Sequence, residues 1–287
     1  MPPVFGVLFD GLAYGMLLFL LSVGLSVTLG MMNFVNLAHC SFAMLGGYVT
    51  VTLTNDFGWP FFATLPAAFV AAAAASAVLE QVFFRRFYNA GELDQCLLTI
   101  GIVFISIAAA AYIYGTINQP VQLPAYLQGS IAFQGLTLSI YRLFLIGIAL
   151  LITIALVAML EATRFGAQVR AAVNNQRMAR GLGINVDALF ALTFALGSGL
   201  AGLGGALAIQ LVGLDPSFAF TYLIYVLIVV SVGGLGSISG SFAAAMLLGV
   251  SDVAGKYYVP AIGAFLIYLV MVVLLMWRPT GIFGRRA

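Results

Sequence analysis

Charge is scarce in this 287-residue sequence, which has 11 Lys and Arg, 9 Asp and Glu, and only 7% charged residues against 63% hydrophobic ones. An ordinary soluble domain carries about 25% charged and roughly 45–50% apolar residues. So few ionic side chains cannot cover a soluble fold of this size, and the bilayer must be the solvent. Histidine occurs once, at His39, which excludes histidine-box metal enzymes and any two-histidine metal site made by this chain alone. Cysteine occurs twice, as Cys40 and Cys96, both within or beside apolar runs; free buried thiols are expected rather than a disulfide framework. The single lysine, Lys256, is followed by Tyr257. A phosphate loop needs Gly-x-x-x-x-Gly-Lys-Ser/Thr so that backbone N–H groups and the lysine cradle the phosphates, so the chain is not itself an ATPase. A serine hydrolase of the intramembrane kind is no better supported. The stretch Gly236-Ser237-Ile238-Ser239-Gly240 has Ser237 where Gly-x-Ser-Gly requires glycine, and His39 would be the sole base.

What the sequence does have is long apolar runs. About 20 consecutive apolar residues cross the hydrocarbon core as a helix, and such runs lie near residues 8–29, 61–84, 95–114, 141–160, 188–212 and 260–277. Two further regions, about 34–54 and 219–251, are apolar but interrupted by Asn, His and Gly. The expected fold is therefore an all-α integral membrane protein, a polytopic bundle of eight or nine spans with two of them broken or short, forming one transmembrane domain over residues 1–287. Met1 to Gly15 has no Lys or Arg ahead of its apolar run, unlike a secretory signal peptide, and is expected to be retained.

Counting basic residues at the span ends orients the chain, since loops rich in them stay in the cytoplasm. With Arg164, Arg170, Arg177 and Arg180 inside, Arg85, Arg86, Arg278, Arg285 and Arg286 fall inside as well, leaving Arg142 and Lys256 outside. The C-terminus is expected in the cytoplasm, and an odd number of crossings puts the N-terminus outside. The net charge of +2 gives no basis for a nucleic-acid partner. An ion-coupled secondary transporter would normally carry central carboxylates, whereas Asp10, Glu80, Glu161, Asp187 and Asp252 all fall near span ends; that class and a passive channel are the rival readings.

Non-helical backbone at membrane depth leaves unpaired N–H and C=O groups and persists only where protein or a watery cavity surrounds it. The first expected break covers residues 31–41, with Asn33, Asn36, His39 and Ser41; the second covers residues 233–241, with Gly233, Gly234, Gly236, Ser237 and Gly240. Each ends in Ser-Phe-Ala and continues through Met-Leu to Gly, a weak internal repeat of the kind that points to a translocation path. Two readings stand for these residues. They line or gate a path, or the Asn and Ser side chains cap helix ends while glycines supply positive φ. For His39 the choices are a neutral imidazole hydrogen-bonded across a helix junction and a proton-handling or ligand-contacting group. Small residues in two adjoining stripes, Gly197, Ala201, Gly205 and Ser198, Gly202, Ala206, suit close helix packing.

Taken together, Asn36-Leu37-Ala38-His39, the loop from Thr163-Arg164 to Ile184-Asn185, Gly233-Gly234-Leu235-Gly236-Ser237 and the closing Arg278-Pro279-Thr280-Gly281-Ile282-Phe283-Gly284 resemble the branched-chain amino acid ABC-transporter permeases, and more closely the first of their two permease subunits. One departure is visible, because the family usually has Gly and then an acidic residue after the His, where this chain has Cys40 and Ser41. The resemblance implies a permease that pairs with a second, related permease subunit, two ATP-binding subunits that use Mg-ATP in the cytoplasm, and a periplasmic solute-binding protein, with no cofactor bound by this chain. Cargo in such a family spans branched-chain and other apolar amino acids, urea, short amides and aromatic acids.

Residues 161–187 then read as a docking element. On a 3.6-residue helix Arg170, Asn174 and Arg177 share one face while Phe165, Val169, Ala172 and Ala179 share another. Gly181-Leu182-Gly183 ends that helix before Ile184. The Ala179-Arg180-Gly181-Leu182-Gly183-Ile184 stretch resembles the family's coupling helix. The competing reading is that the arginines anchor the loop at anionic lipid headgroups.

Overall fold

A computed structural model describes residues 2–284 apart from residues 33, 35, 89, 134 and 135. Asn33, Arg285 and Arg286 therefore lie outside the described residues. Helices dominate because apolar runs without water must satisfy their backbone internally. In chain order they are α1 (Pro2–Met32), α2 (His39–Asn55), α3 (Phe61–Leu79), the single turn α4 (Arg85–Phe87), α5 (Glu92–Tyr114), α6 (Ile140–Ala162), α7 (Arg164–Asn174), α8 (Gln176–Gly181), α9 (Val186–Val212), α10 (Phe218–Gly233), α11 (Ile238–Tyr258) and α12 (Gly263–Trp277). A π turn, Glu80–Phe84, carries α3 into α4. A hairpin of β1 (Ser130–Phe133) and β2 (Leu136–Ser139) precedes α6.

Six of these helical stretches are long and apolar enough to cross a membrane: Val4–Gly30, Phe61–Phe87, Glu92–Tyr114, Ile140–Ala162, Val186–Val212 and Ile238–Tyr258. The expected run at 260–277 shortens to the 15 residues of α12, and the long span lies instead at α11, which begins inside the region expected to be interrupted at about 219–251 and runs past it to Tyr258. Pro260 and the turn at 260–262 remove the first turn of the former, while the glycines of the latter are tolerated inside a helix because neighbouring backbones come close there. With the 17-residue α2, the 16-residue α10 and the 15-residue α12, nine helices among the described residues alternate in direction.

The bundle therefore has two distinct ends. The hairpin end holds Arg142, which is ion-paired with Asp10, and Lys256. The arginine end holds Arg85, the arginines of α7 and α8, and Arg278, sorted as the charge count expects. α9 is the axle. Added Cβ atoms at Gly197, Gly202 and Gly205 would fall 3.0 Å from the Gly24 backbone, 2.4 Å from Ala72 and 1.8 Å from the Ala43 carbonyl, so the small stripes let α1, α3 and α2 approach one helix. A second close crossing joins α1 to α11, with Gly249 against Gly15 and the Ser241 hydroxyl bonded to that of Ser26 at 2.9 Å.

Candidate functional site

The first break is shorter than its sequence signature. α1 runs on to Met32 and α2 starts at His39, so His39, Cys40 and Ser41 are helical, not part of the interruption. Asn36 is 1% exposed; its Oδ1 accepts from the Ala38 N–H at 3.1 Å, and its Nδ2 is buried with no partner among the described residues. His39 lies at the start of α2, and its Nε2 donates to the Leu21 carbonyl of α1 at 3.0 Å, since a carbonyl can only accept. That bond crosses a helix junction, the first of the two roles open to the sole histidine. Ser41 accepts from Ser106 of α5 at 2.8 Å. Phe34 is wedged between Phe84 and Tyr88, with both ring pairs 5.5 Å apart.

The second break is made of backbone. Gly233 closes α10 and Gly240 sits in the first turn of α11, so only 234–237 are non-helical. Gly234 and Gly236 adopt φ of 96° and 77°, in the left-handed region that favours glycine. Ser237 caps α11, its hydroxyl accepting from Gly240 N–H at 3.0 Å. The turn is crowded on both sides. A Cβ at Gly30 would meet Gly236 Cα at 2.3 Å, and one at Gly240 would meet the Gly233 carbonyl at 2.0 Å. The C-terminal stretch folds back onto it: Ile282 and Phe283 N–H groups donate to the carbonyls of Val232 and Gly233 at 2.8 and 3.2 Å, and Gly281 and Gly284 press against Gly234. Those carbonyls would otherwise be among the orphan acceptors at a helix end.

The arginine segment departs from the expected continuous helix. It breaks at Asn175 (φ −158°, ψ 98°), whose side chain caps α8 by accepting from Met178 N–H at 2.9 Å. Arg170 and Asn174 thus belong to α7 and Arg177 to α8, and the three no longer share one helical face. The inward face holds: Val169, Ala172 and Ala179 are buried, while Arg170, Asn174, Arg177 and Arg180 are exposed. Gly181 ends α8, Gly183 takes φ of 82°, and Ile184 N–H returns to the Ala179 carbonyl at 3.1 Å, a glycine-dependent helix stop. Asp187 ties the segment down by pairing with Arg180 at 2.7 Å and with Arg85 at 3.3 Å. Arg170 donates to the Leu160 carbonyl at the end of α6.

Between these parts lies a cavity of about 540 Å³ at the arginine end. α7 lines it with Val169, Arg170, Val173 and Asn174, the second break with Leu235, Gly236, Ser237 and Ile238, α1 with Val27 and Gly30, and the C-terminal stretch with Phe283. The structure thus brings Arg170 and Asn174 together with Gly236 and Ser237. It does not bring Asn36, His39 or Ser41 to that cavity, nor Arg177, Arg180, Gly181, Gly183 or Ile184. Sequence reasoning missed Phe283 as a lining residue and Asn175 as a helix stop, although an Asn three residues before Met178 was a readable cap signal. It also placed Glu80 and Asp252 merely near span ends, whereas both are buried, Glu80 accepting from the Tyr88 hydroxyl at 2.6 Å.

Comparison with known proteins agrees with this architecture. The chain is 27% identical to the high-affinity branched-chain amino acid transport system permease protein BraD of Pseudomonas aeruginosa, over 97% of this chain and 95% of that protein. It is 28% identical to the permease protein LivH of Escherichia coli, over 97% and 94%. A more distant similarity, 26% over 93% of this chain and 68% of the relative, links it to the E. coli permease protein LivM. No solved structure matches it. Residues 7–275 match the family described as branched-chain amino acid transport system / permease component, and the chain belongs to that family.

Proposed function

We propose that this chain is the translocation subunit of a binding-protein-dependent ABC importer for a branched-chain or other apolar amino acid, or a related small solute. Two separate ATPase subunits supply the energy from Mg-ATP, a second related permease completes the pathway, and a periplasmic binding protein delivers solute. The chain sits in the cell's inner membrane with its arginine end and C-terminus in the cytoplasm. Similarity to both LivH and LivM supports pairing between related permeases.

One observation carries this reading: the cavity whose walls are α7 on one side and the Gly236–Ser237 turn on the other. A segment that is exposed outwardly and pinned inwardly can transmit a push. Exposed Met178 and Leu182, 64% and 75% accessible, offer apolar contact beside Arg177 and Gly181, as a protein partner requires; lipid headgroups would need only the arginines. The push reaches α7 across the Asn175 hinge and meets the turn that joins α10 to α11.

The test is ATP-driven uptake by the complete complex in proteoliposomes with binding protein outside. Arg177→Glu and Gly181→Leu should weaken ATPase association or lower solute-stimulated hydrolysis by about tenfold or more, because each opposes a docked surface. Unchanged association and stimulation in both variants would remove the coupling role. Uptake by this chain without ATP would instead favour ion-coupled transport.

A further inference from the structure

Far from the arginine end, α1, α10, α11 and α12 converge on a polar centre that the mechanism above does not use. Asp252 of α11 has a side chain only 1% exposed. Its Oδ2 accepts from Nζ of Lys256, one turn later, at 2.6 Å, whereas its Oδ1 is buried with no hydrogen-bond partner among the described residues. A carboxylate within a membrane helix is expensive and is normally satisfied at both oxygens. Tyrosines from two other helices stand near it. Tyr14 of α1 and Tyr222 and Tyr225 of α10 lie within electrostatic reach of Asp252. Tyr268 of α12 stacks on Tyr225, with ring centroids 6.3 Å apart.

Lys256 reveals what chemistry this centre accepts. Its ammonium touches the carboxylate on one side and stands 5.8 Å from the Tyr14 ring centroid on the other, an arrangement in which an aromatic face and an anion share one cation. Yet its side chain is 53% exposed and reaches in from the rim, so it uses only half of the carboxylate. A helix-internal i,i+4 pair accounts for Oδ2 and leaves Oδ1 unexplained.

We propose that Asp252, with Tyr14, Tyr222 and Tyr225 beside it, is a subsite for the ammonium group of a small zwitterionic or cationic solute at the hairpin end. The nature of that solute rests on the importer reading above. The solute's –NH3+ donates to the free Oδ1 in a charge-assisted hydrogen bond and lies against the tyrosine rings. Lys256 is then a resident competitor that holds the other oxygen and is loosened when solute arrives.

Two arms test this on the complete complex. In leucine uptake, Lys256→Gln removes the competitor from the carboxylate and should lower the apparent KM by about threefold. Uptake by the double variant Asp252→Asn/Lys256→Gln should fall by about tenfold or more, the effect of losing a buried charged acceptor. An equal loss in both variants makes the pair merely structural, and wild-type uptake in the double variant removes the site; either overturns the proposal. The second arm needs no variant, because Lys256 is the chain's only lysine and its acylation by a succinimidyl ester is read uniquely by mass spectrometry. N,N-dimethylisopentylamine, a tertiary ammonium that the ester does not consume, should speed that acylation, whereas 4-methylpentanoate, of matching carbon skeleton without the ammonium, should not. No change with the amine, or equal change with both, overturns the subsite. A wild-type complex that hydrolyses ATP but imports no leucine counts against the importer reading alone, since the acylation arm does not depend on transport.

Discussion

The two breaks in the bundle begin from nearly the same words, Ser-Phe-Ala after an interrupted apolar run, and solve the problem of bare backbone in opposite ways. Both Ser-Phe-Ala triplets sit within the first two turns of the helix that follows the break, in α2 and in α11. At the first, side chains do the work: Asn36 accepts from the Ala38 N–H just ahead of α2, His39 reaches back to the Leu21 carbonyl, and one amide donor is buried and unused among the described residues. At the second, backbone does it: glycines at positive φ turn the chain, and the C-terminal stretch supplies donors to the carbonyls of α10. A site built from side chains keeps polar capacity in reserve and can exchange partners. One built from backbone contacts moves as a unit, which suits a turn that shares a cavity with α7.

That contrast can be broken experimentally, with the largest effect at the second break. Gly240→Leu places a Cβ 2.0 Å from the Gly233 carbonyl, and neither neighbour is a flexible side chain; loss of monodisperse protein on size-exclusion chromatography is expected, from a strain of about 3 kcal/mol or more. Deleting residues 279–287 uncovers the Val232 and Gly233 carbonyls. At about 1 kcal/mol per lost bond, hydrogen exchange at 234–241 should quicken while 36–41 stays as in wild type. Equal quickening at both would show that the breaks are not independent. His39→Ala removes the donor to Leu21 and is expected to lower stability by about 1–3 kcal/mol, seen as an earlier thermal transition. Smallest is Asn36→Ser, which keeps a short acceptor oxygen for the Ala38 N–H while deleting the idle Nδ2. Its stability should change by no more than about 0.5 kcal/mol, so reduced uptake in this variant would assign the spare donor to the path, and full uptake would remove that assignment.

Much of the fold was readable because a bilayer imposes one rule, internal satisfaction of the backbone over some twenty apolar residues. Hence five of the six expected runs coincide with long apolar helices, and the arginines gather at one end as counted. The sixth failed at Pro260, and α11 was obscured because its glycines look like interruptions until α1 is seen lying against them. The candidate site was legible only in pieces. Gly236, Ser237, Arg170 and Asn174 could each be singled out, but nothing in one dimension says that they share a wall. Asn175 was hidden by a periodicity that continues through it, since the helix stop is a local side-chain bond rather than a change in pattern. Asp252 was hidden by position, because nearness to a span end along the chain is not nearness to water.

The return of Ile282 and Phe283 to the end of α10 also fixes an order of events in biosynthesis. α10 and α11 emerge from the ribosome before the residues that complete their turn exist. Until residues 282 and 283 follow α12, their bonds to the carbonyls of Val232 and Gly233 cannot form. The last stretch described here is therefore the fastening stitch, and the rigidity of the arginine end arrives only after the whole helical bundle has been threaded.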